Sequence, residues 1–504
     1  MSNPAGITIL RGAHVIDKAQ GVDRVADVAI RDGKIHSVGG EAPAGAEIID
    51  VSGSYLSPGW IDIHVHVYGT LGFADPDSIG ICQGVTTFVE AGGPGIDTLD
   101  EFAALTDGRT RTRLYVGPYA MRPIGLISLN FIEGDSIRSL THIPIVKWMD
   151  YMEENGDRLR YIKIGAYGGY GVGAMRMAKG LAETVGRPLY IHIGEHQLQP
   201  GTDDANHIFR IADKGDIITH LFHGNKYGLL DDQGKMMPVV WEAVRRGVLF
   251  DVGFGGYNFS WSVAEKVVAQ GLLPHIISSD LQQFNVLGPV HSLAHVMGAC
   301  MKLDLSLHDV IERVTINPAK ALSLDDRAGT LKPGMPADIT VFDVEEGEWK
   351  VPDTASATRT INRRIVPRMA FKDGERVDCD MERCLDERNW LIQIAEDNVP
   401  EAVARLTPRQ RQFLGELAAE LSKVEWTAAD LAVFNLSKAM ELHDAFRRVQ
   451  VSTGVPLKAA LTAFFDSFLN HPFTMQVGVF LVRLPRRMVL ARLRQAAEKE
   501  LATH

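Results

Sequence analysis

Two histidines one residue apart, His64 and His66, stand inside the run IDIHVHV. Residues two apart on a strand project to the same face, so a strand here sets both imidazoles side by side. Four more polar residues interrupt equally apolar runs: Lys163 in RYIKIGAY, His192 in LYIHIGE, His220 in IITHLFHG and Asp280 in IISSDL. A charged group in an apolar strand needs either a buried partner or a route to water. Taken singly, each reads as a hydrogen-bonded core residue. Six of them at matching ends of five strands read as one convergent site. Imidazole and carboxylate donors suit Zn²⁺, with Mn²⁺, Fe²⁺ or Co²⁺ also compatible, and no cysteine is placed to join them. A metal held by such a cluster can act as a Lewis acid and acidify a bound water.

The elements that must position these groups follow from the hydrophobic rhythm. Eight short apolar runs (IDIHVHV, TTFVEAG, RLYVGPY, RYIKIGAY, PLYIHIGE, DIITHLFHG, VLFDVGFG and HIISSDL) are mostly separated by segments of helical spacing such as IPIVKWMDYMEEN, AMRMAKGLAETVG and VVWEAVRRG. Near-continuous apolar strands alternating with helices imply a parallel sheet covered on both faces. Eight such units suit a closed (β/α)8 TIM-like barrel, whose active site lies at the C-terminal ends of its strands. An open doubly wound sheet is the alternative, but no GxGxxG phosphate loop follows the first strand. The expected organisation is an α/β chain with four segments. Residues 1–58 and 326–380 share a short-strand texture, with the pairing of the first left open, and 59–325 form the barrel. Residues 385–504 form an all-helical C-terminal domain, with helical patterns in LDERNWLIQIAEDN, PRQRQFLGELAAELSKVEW, TAADLAVFNLSKAMELHDAFRRVQ, PLKAALTAFFDSFLN and PRRMVLARLRQAAEKELATH.

The motifs PGWIDIHVHVYG, YIKIGAY, IHIGE, GDIITHLFHG, GVLFDVGFG, ISSDL and VTINPAKALSLDDRAGTLKPGMPADITVFD occur in order up to about residue 345. In this the chain resembles the amidohydrolase superfamily, and within it the amidohydrolase/deacetylase metallohydrolases related to dihydroorotases and D-aminoacylases. The resemblance implies that residues 1–58 and 326–380 join as the two parts of one small β-sandwich beside the barrel, and it implies two divalent metal ions and a Lys163 carboxylated by CO2 to a bridging carbamate. It implies that His64, His66 and Asp280 hold one metal and His192 and His220 the other. A bare ammonium between two dications is repelled, whereas a carbamate is an anion with two oxygens. Two metals about 3.5–4 Å apart lower the pKa of a bridging water and polarise the scissile carbonyl, with Asp280 as general acid–base. His223, three residues past His220, competes for the ligand position on its strand. His196 and His207 read as surface or supporting residues, and Gln282 and Asn285 as supports of Asp280. Arg122, in AMRPIGL, is a candidate for gripping a substrate carboxylate by a bidentate contact, against an ordinary place on the barrel rim.

With 504 residues, two or three domains are expected. An apolar share of 45% and a charged share of 23% are those of a globular chain. No apolar run reaches membrane-spanning length, and MSNPAGITIL lacks the pattern of a secretory signal. Four scattered cysteines read as free thiols in a reducing compartment, so a cytoplasmic location is expected. The net charge of −11 argues against nucleic-acid binding over the whole surface. The segment from about 425 onward resembles the C-terminal helical module of class I lysyl- and glutamyl-tRNA synthetases, but no HIGH or KMSKS-like signature accompanies it. Its basic run Arg483, Arg486, Arg487, Arg492 and Arg494 reads either as a phosphate contact or as a solvated helix face. The leading expectation is deacylation of a small N-acyl or O-acyl compound. The alternatives are cyclic-amide opening, as in dihydroorotases and hydantoinases, and an RNA-associated or scaffolding role for the C-terminal helices. A homo-oligomer is compatible with all three.

Overall fold

A computed structural model of the chain describes residues 6–40, 43–69, 72–120, 143–165, 171–194, 205–225, 228–354, 357–390, 392–395, 399–427, 436–470 and 477–498. Ile7–Asp17 (β1), Val22–Arg31 (β2) and Lys34–Val38 (β3) form an antiparallel meander, and Glu47–Asp50 (β4) and Tyr55–Pro58 (β5) pair in parallel with successive stretches of β1. The other edge of β5 accepts Ile339–Pro352 (β13) in antiparallel register, and Thr358–Lys372 (β14) and Glu375–Asp378 (β15) complete an eight-stranded sheet. Alternation along these strands sends Leu10, Val28, Leu56, Ile339 and Phe371 into one apolar core. Ser54 Oγ donates to Asp343 Oδ1 at 2.6 Å across the seam between the two chain segments.

Between those segments, Trp60–Val65 (β6), Val85–Gly95 (β7), Arg113–Tyr119 (β8), Ile162–Gly165 (β9), Leu189–His192 (β10), Ile217–Thr219 (β11) and Leu249–Asp251 (β12) form a parallel sheet in sequence order. Residues 276–281 supply the eighth strand, through parallel bridges from Ile276 to Asp251 and from Leu281 to Val65. The bonds Asp280 N–H to His64 O (2.7 Å) and His66 N–H to Leu281 O (2.9 Å) tie that strand to β6 and close the ring. Every residue of β6, β7 and β9 is buried, as strands covered on both faces require. The helices outside include Ile145–Asn155, Gly171–Thr184, Pro238–Arg246 and Trp261–Ala269, at the positions their spacing predicts. The crossover after β6 has instead the 3₁₀ turns Pro76–Ser78 and Ile81–Gln83, the first capped by Asp75.

Pro408–Leu421, Leu436–Thr453, Leu457–Asp466, Val477–Val482 and Arg486–Glu498 are helices around a core containing Phe413, Phe446, Phe464, Phe468 and Phe480. Thr407 and Gln410 close a capping box at the start of the first. The run LDERNWLIQIAEDN departs from its predicted helix: it makes 3₁₀ turns at Arg383–Leu385 and Glu387–Asn389, followed by an antiparallel bridge between Trp390 and Phe73. Asp386 Oδ1 accepts from Arg388 N–H at 3.0 Å, a local side-chain bond that competes with helix. The basic run also departs from a uniformly solvated face. Arg486 donates to Val424 O (2.9 Å) and Ser422 O (2.7 Å), and buried Arg492 donates to Ala395 O (2.5 Å), whereas Arg487 and Arg494 are exposed. Guanidinium groups satisfy carbonyls where helix ends leave them without partners. Among the described residues no helix is long and apolar enough to cross a membrane, and all four cysteines are free.

Candidate metal centre

Closure of the barrel brings together all six residues singled out from the apolar strands. His64 ends the inward face of β6 and His66 follows it; strand eight, bonded to both backbones, delivers Asp280 beside them. Asp280 Oδ1 lies 3.3 Å from His64 Nε2 and 3.2 Å from His66 Nε2. The donor atoms of these three buried residues lie within 4.8 Å of one another, a spacing that can hold a metal ion. Lys163, on β9, brings Nζ to 2.9 Å from the same His64 Nε2. On β10 and just past β11, His192 Nδ1 and His220 Nε2 are 2.8 Å apart, and the His220 ring centroid is 5.2 Å from that of His64. The result is two donor groups, His64/His66/Asp280 and His192/His220, with Lys163 among them.

His220, rather than His223, is the strand-six residue that meets the cluster. His223 packs against Gly194 and Gly228, where a Cβ at Gly194 would lie 2.8 Å from its Cγ. Its Nδ1 accepts from Asn225 N–H at 3.2 Å. Arg122 and His196 lie outside the described residues. His207 stands on the helix Ala205–Ile211. Gln282 Nε2 donates to Asp280 Oδ1 at 3.1 Å and Asn285 Nδ2 to Asp280 O at 2.8 Å, so both support Asp280.

An outer ring of side chains fixes how the imidazoles face. Glu90, wholly buried on β7, places Oε1 3.2 Å from His66 Nδ1 and accepts from the backbone N–H groups of Val67, Tyr68 and Gly93. His64 Nδ1 is 2.9 Å from Tyr190 Oη, which donates to Asp251 Oδ2 at 2.6 Å. Thr219 and Ser278 hydroxyls donate to the same Asp251 oxygen, each at 2.7 Å. His220 Nδ1 lies 2.6 Å from Gly253 O. With each Nδ1 so engaged, the Nε2 atoms of His64, His66 and His220 face the centre, the usual outer-shell device for orienting metal ligands. Glu90 and Asp251 escaped the sequence reading, although each is a carboxylate in a quoted apolar run, TTFVEAG or VLFDVGFG, and the rule that picked out Lys163 applies to both.

Backbone geometry is adjusted to the same end. His220 and Asp280 have φ of 71° and 52°, a left-handed conformation that costs non-glycine residues about 1–3 kcal/mol and is tolerated at sites. The VLFDVGFG motif supplies the complementary space: Gly255 has φ +57°, and a Cβ there would lie 2.3 Å from Asp280 Oδ2. Electrostatics suit ligation. Burial pushes the imidazolium of His220 down to about 4 and holds that of His64 well below its ordinary range, leaving both neutral. Burial pushes Lys163 down to about 7 against the pull of Asp280, Asp251 and Glu90. At His66 burial opposes charge, yet bonds from Asp280 and Glu90 outweigh it and raise the pKa to about 9. Two buried carboxylates flanking one imidazole thus demand positive charge at that point. A divalent cation fits both the donors and the field.

Comparison with known proteins agrees with this geometry. A profile described as the amidohydrolase family matches residues 274–378. A deacetylase of Agrobacterium fabrum is 31% identical over 356 residues, 69% of this chain and 85% of the relative. A deacetylase of Brucella anthropi is 30% identical over 368 residues, 70% of this chain and 88% of the relative. The crystal structure of a dihydroorotase superposes with a TM-score of 0.66 at 28% identity, covering 74% of this chain and 98% of that one. Barrel, converging donors and relatives matched over most of their length lead to one assignment: the chain belongs to the amidohydrolase superfamily of metal-dependent hydrolases.

Proposed function

We propose that the chain removes the acyl group from a small N-acyl or O-acyl compound, using two divalent metal ions held by His64, His66, Lys163, His192, His220 and Asp280. The observation that carries this reading is the meeting of two donor groups around Lys163 at one end of the barrel. The deacetylases at 30–31% identity support acyl removal as the reaction. When bound, two divalent ions, with Zn²⁺ suited to an imidazole-rich set, polarise the acyl oxygen and acidify the attacking water.

The side chains have distinct tasks. His64, His66 and Asp280 would hold one ion, and His192 and His220 the other. Lys163 would serve both as a carbamate: its amine attacks the carbon of CO2, an N–C bond forms, a proton leaves, and the resulting anionic group offers two oxygens. A pKa pushed down to about 7 populates the neutral amine that this addition needs. Asp280 accepts the proton of the attacking water and returns it to the leaving nitrogen or oxygen. Gln282 and Asn285 hold Asp280 for both transfers.

Ring opening of a cyclic amide follows the same proton path and is the second reading, favoured by the dihydroorotase structure at 28% identity. Metal-replete protein is to be assayed with N-acetyl amino acids, O-acetyl esters, dihydroorotate and hydantoin, with Asp280→Asn as control. The proposal expects turnover of an acyl compound, abolished in the control. Turnover of the cyclic amides alone transfers the assignment to the second reading, and an equally active Asp280→Asn refutes both.

A further inference from the structure

The loops beyond His66 and Asp280 are bound to the C-terminal part of the chain. After His66, Ala74 N–H donates to Asn389 O at 2.5 Å, Phe73 bridges Trp390, and Asp75 pairs with Arg383. After Asp280, the buried side chain of Gln283 grips the backbone of Ile392 at two points: Nε2 donates to its carbonyl at 2.8 Å, and Oε1 accepts its N–H at 3.0 Å. Further along, Arg483 Nη2 donates to Gly288 O at 3.4 Å. Phe284, and Tyr257 from the loop after β12, pack against the helical core. Residues on this short loop therefore divide their attention. Gln282 and Asn285 hold Asp280, while Gln283 and Phe284 hold the helical unit.

We propose that the C-terminal helical unit clamps the strand-eight loop, and that Gln283 is a positioning residue through which the clamp fixes Asp280 and the width of the substrate mouth. This rests on the reading of Asp280 as ligand and proton carrier. Ile392 lies outside regular secondary structure, so its buried N–H and C=O need partners, and a primary amide offers one acceptor and one donor in the required register. An apolar side chain would leave both groups orphaned.

The test uses the full-length chain with Gln283→Met, of similar length without the amide, and Arg483→Met, which removes the separate grip on Gly288. Gln283→Glu keeps the acceptor and loses the donor. Amide hydrogen exchange of residues 281–291 is expected to quicken about ten-fold in Gln283→Met, with β6–β12 unchanged and Gln283→Glu intermediate. For an acyl series of rising bulk, kcat/KM for the smallest is expected to fall about ten-fold while metal per chain is kept, and selectivity against the bulkiest to relax about five-fold. Loop exchange and selectivity both at parental values in Gln283→Met and Arg483→Met would overturn the clamp. Faster exchange with unaltered selectivity would overturn its part in specificity. If Gln283→Met does not fold, Arg483→Met is read by the same criteria. Exchange needs no substrate, so a failure of the deacylase reading is distinguishable from a failure of the clamp.

Discussion

Glu90→Gln isolates the outer ring from the ligands. Glu90 uses Oε2 for the N–H groups of Val67 (2.5 Å) and Tyr68 (3.0 Å), and Oε1 for Gly93 N–H (3.0 Å) and His66 Nδ1 (3.2 Å). A glutamine of the same shape has one accepting atom. Its oxygen is best placed on the Val67–Tyr68 pair, which turns the NH2 towards Gly93 N–H and His66. Orphaning one buried N–H is worth about 1–3 kcal/mol. The NH2 also requires a lone pair at His66 Nδ1, moving the ring proton to Nε2, the atom that faces Asp280. Outer-shell losses of this kind lower metal affinity about 10- to 100-fold. A chelator-competition titration measures the affinity, with thermal melting as the control for folding. Affinity within about two-fold of the parent, in a folded variant, would refute the claim that Glu90 sets the His66 tautomer.

Three further outcomes are expected. Lys163→Ala loses bound metal and activity, and short carboxylic acids restore part of both; full metal content without rescue, by elemental analysis, contradicts the bridging role. Gly255→Ala forces an L-residue to φ +57° with its Cβ 2.3 Å from Asp280 Oδ2, so kcat is expected to fall at least about ten-fold while the melting temperature drops only modestly. Burial, with His291 nearby, pushes His295 down from 6.5 to about 3. The unfolded chain binds a proton between these values that the folded chain refuses, so stability is present above pH 6.5 and falls as pH is lowered through that window. Urea midpoints across this range should show a shallower decline in His295→Gln.

The barrel and its inward polar residues were legible because one physical rule covers them: a charged or imidazole side chain has no reason to sit in an apolar strand unless something there receives it. His64, Lys163, His220 and Asp280 satisfy that rule, and the strands meet around them. Glu90 and Asp251 satisfy it equally, but their partners include the backbone N–H groups of Val67 and Tyr68 and the hydroxyls of Tyr190, Thr219 and Ser278, which only the closed ring brings near. The same holds for Gln283, an ordinary polar residue in sequence whose two bonds are to a residue 109 positions away. The LDERNW segment misled for a local reason. Its periodicity fits a helix, yet Asp386 captures the amide two residues on, and Trp390 finds an extended partner in Phe73.

The seam between β5 and β13 also orders events during synthesis. Ser54 and Asp343, bonded across it, are 289 residues apart. At roughly 5–20 residues per second, the ribosome needs on the order of 15–60 s to make the intervening stretch. During that interval the far edge of β5 has no strand to receive, and open edges invite pairing with other chains. Emergence of β13 is therefore the moment at which the long-exposed edge of β5 is covered, and slowing translation within the barrel should raise the burden on chaperones more than slowing it after β15.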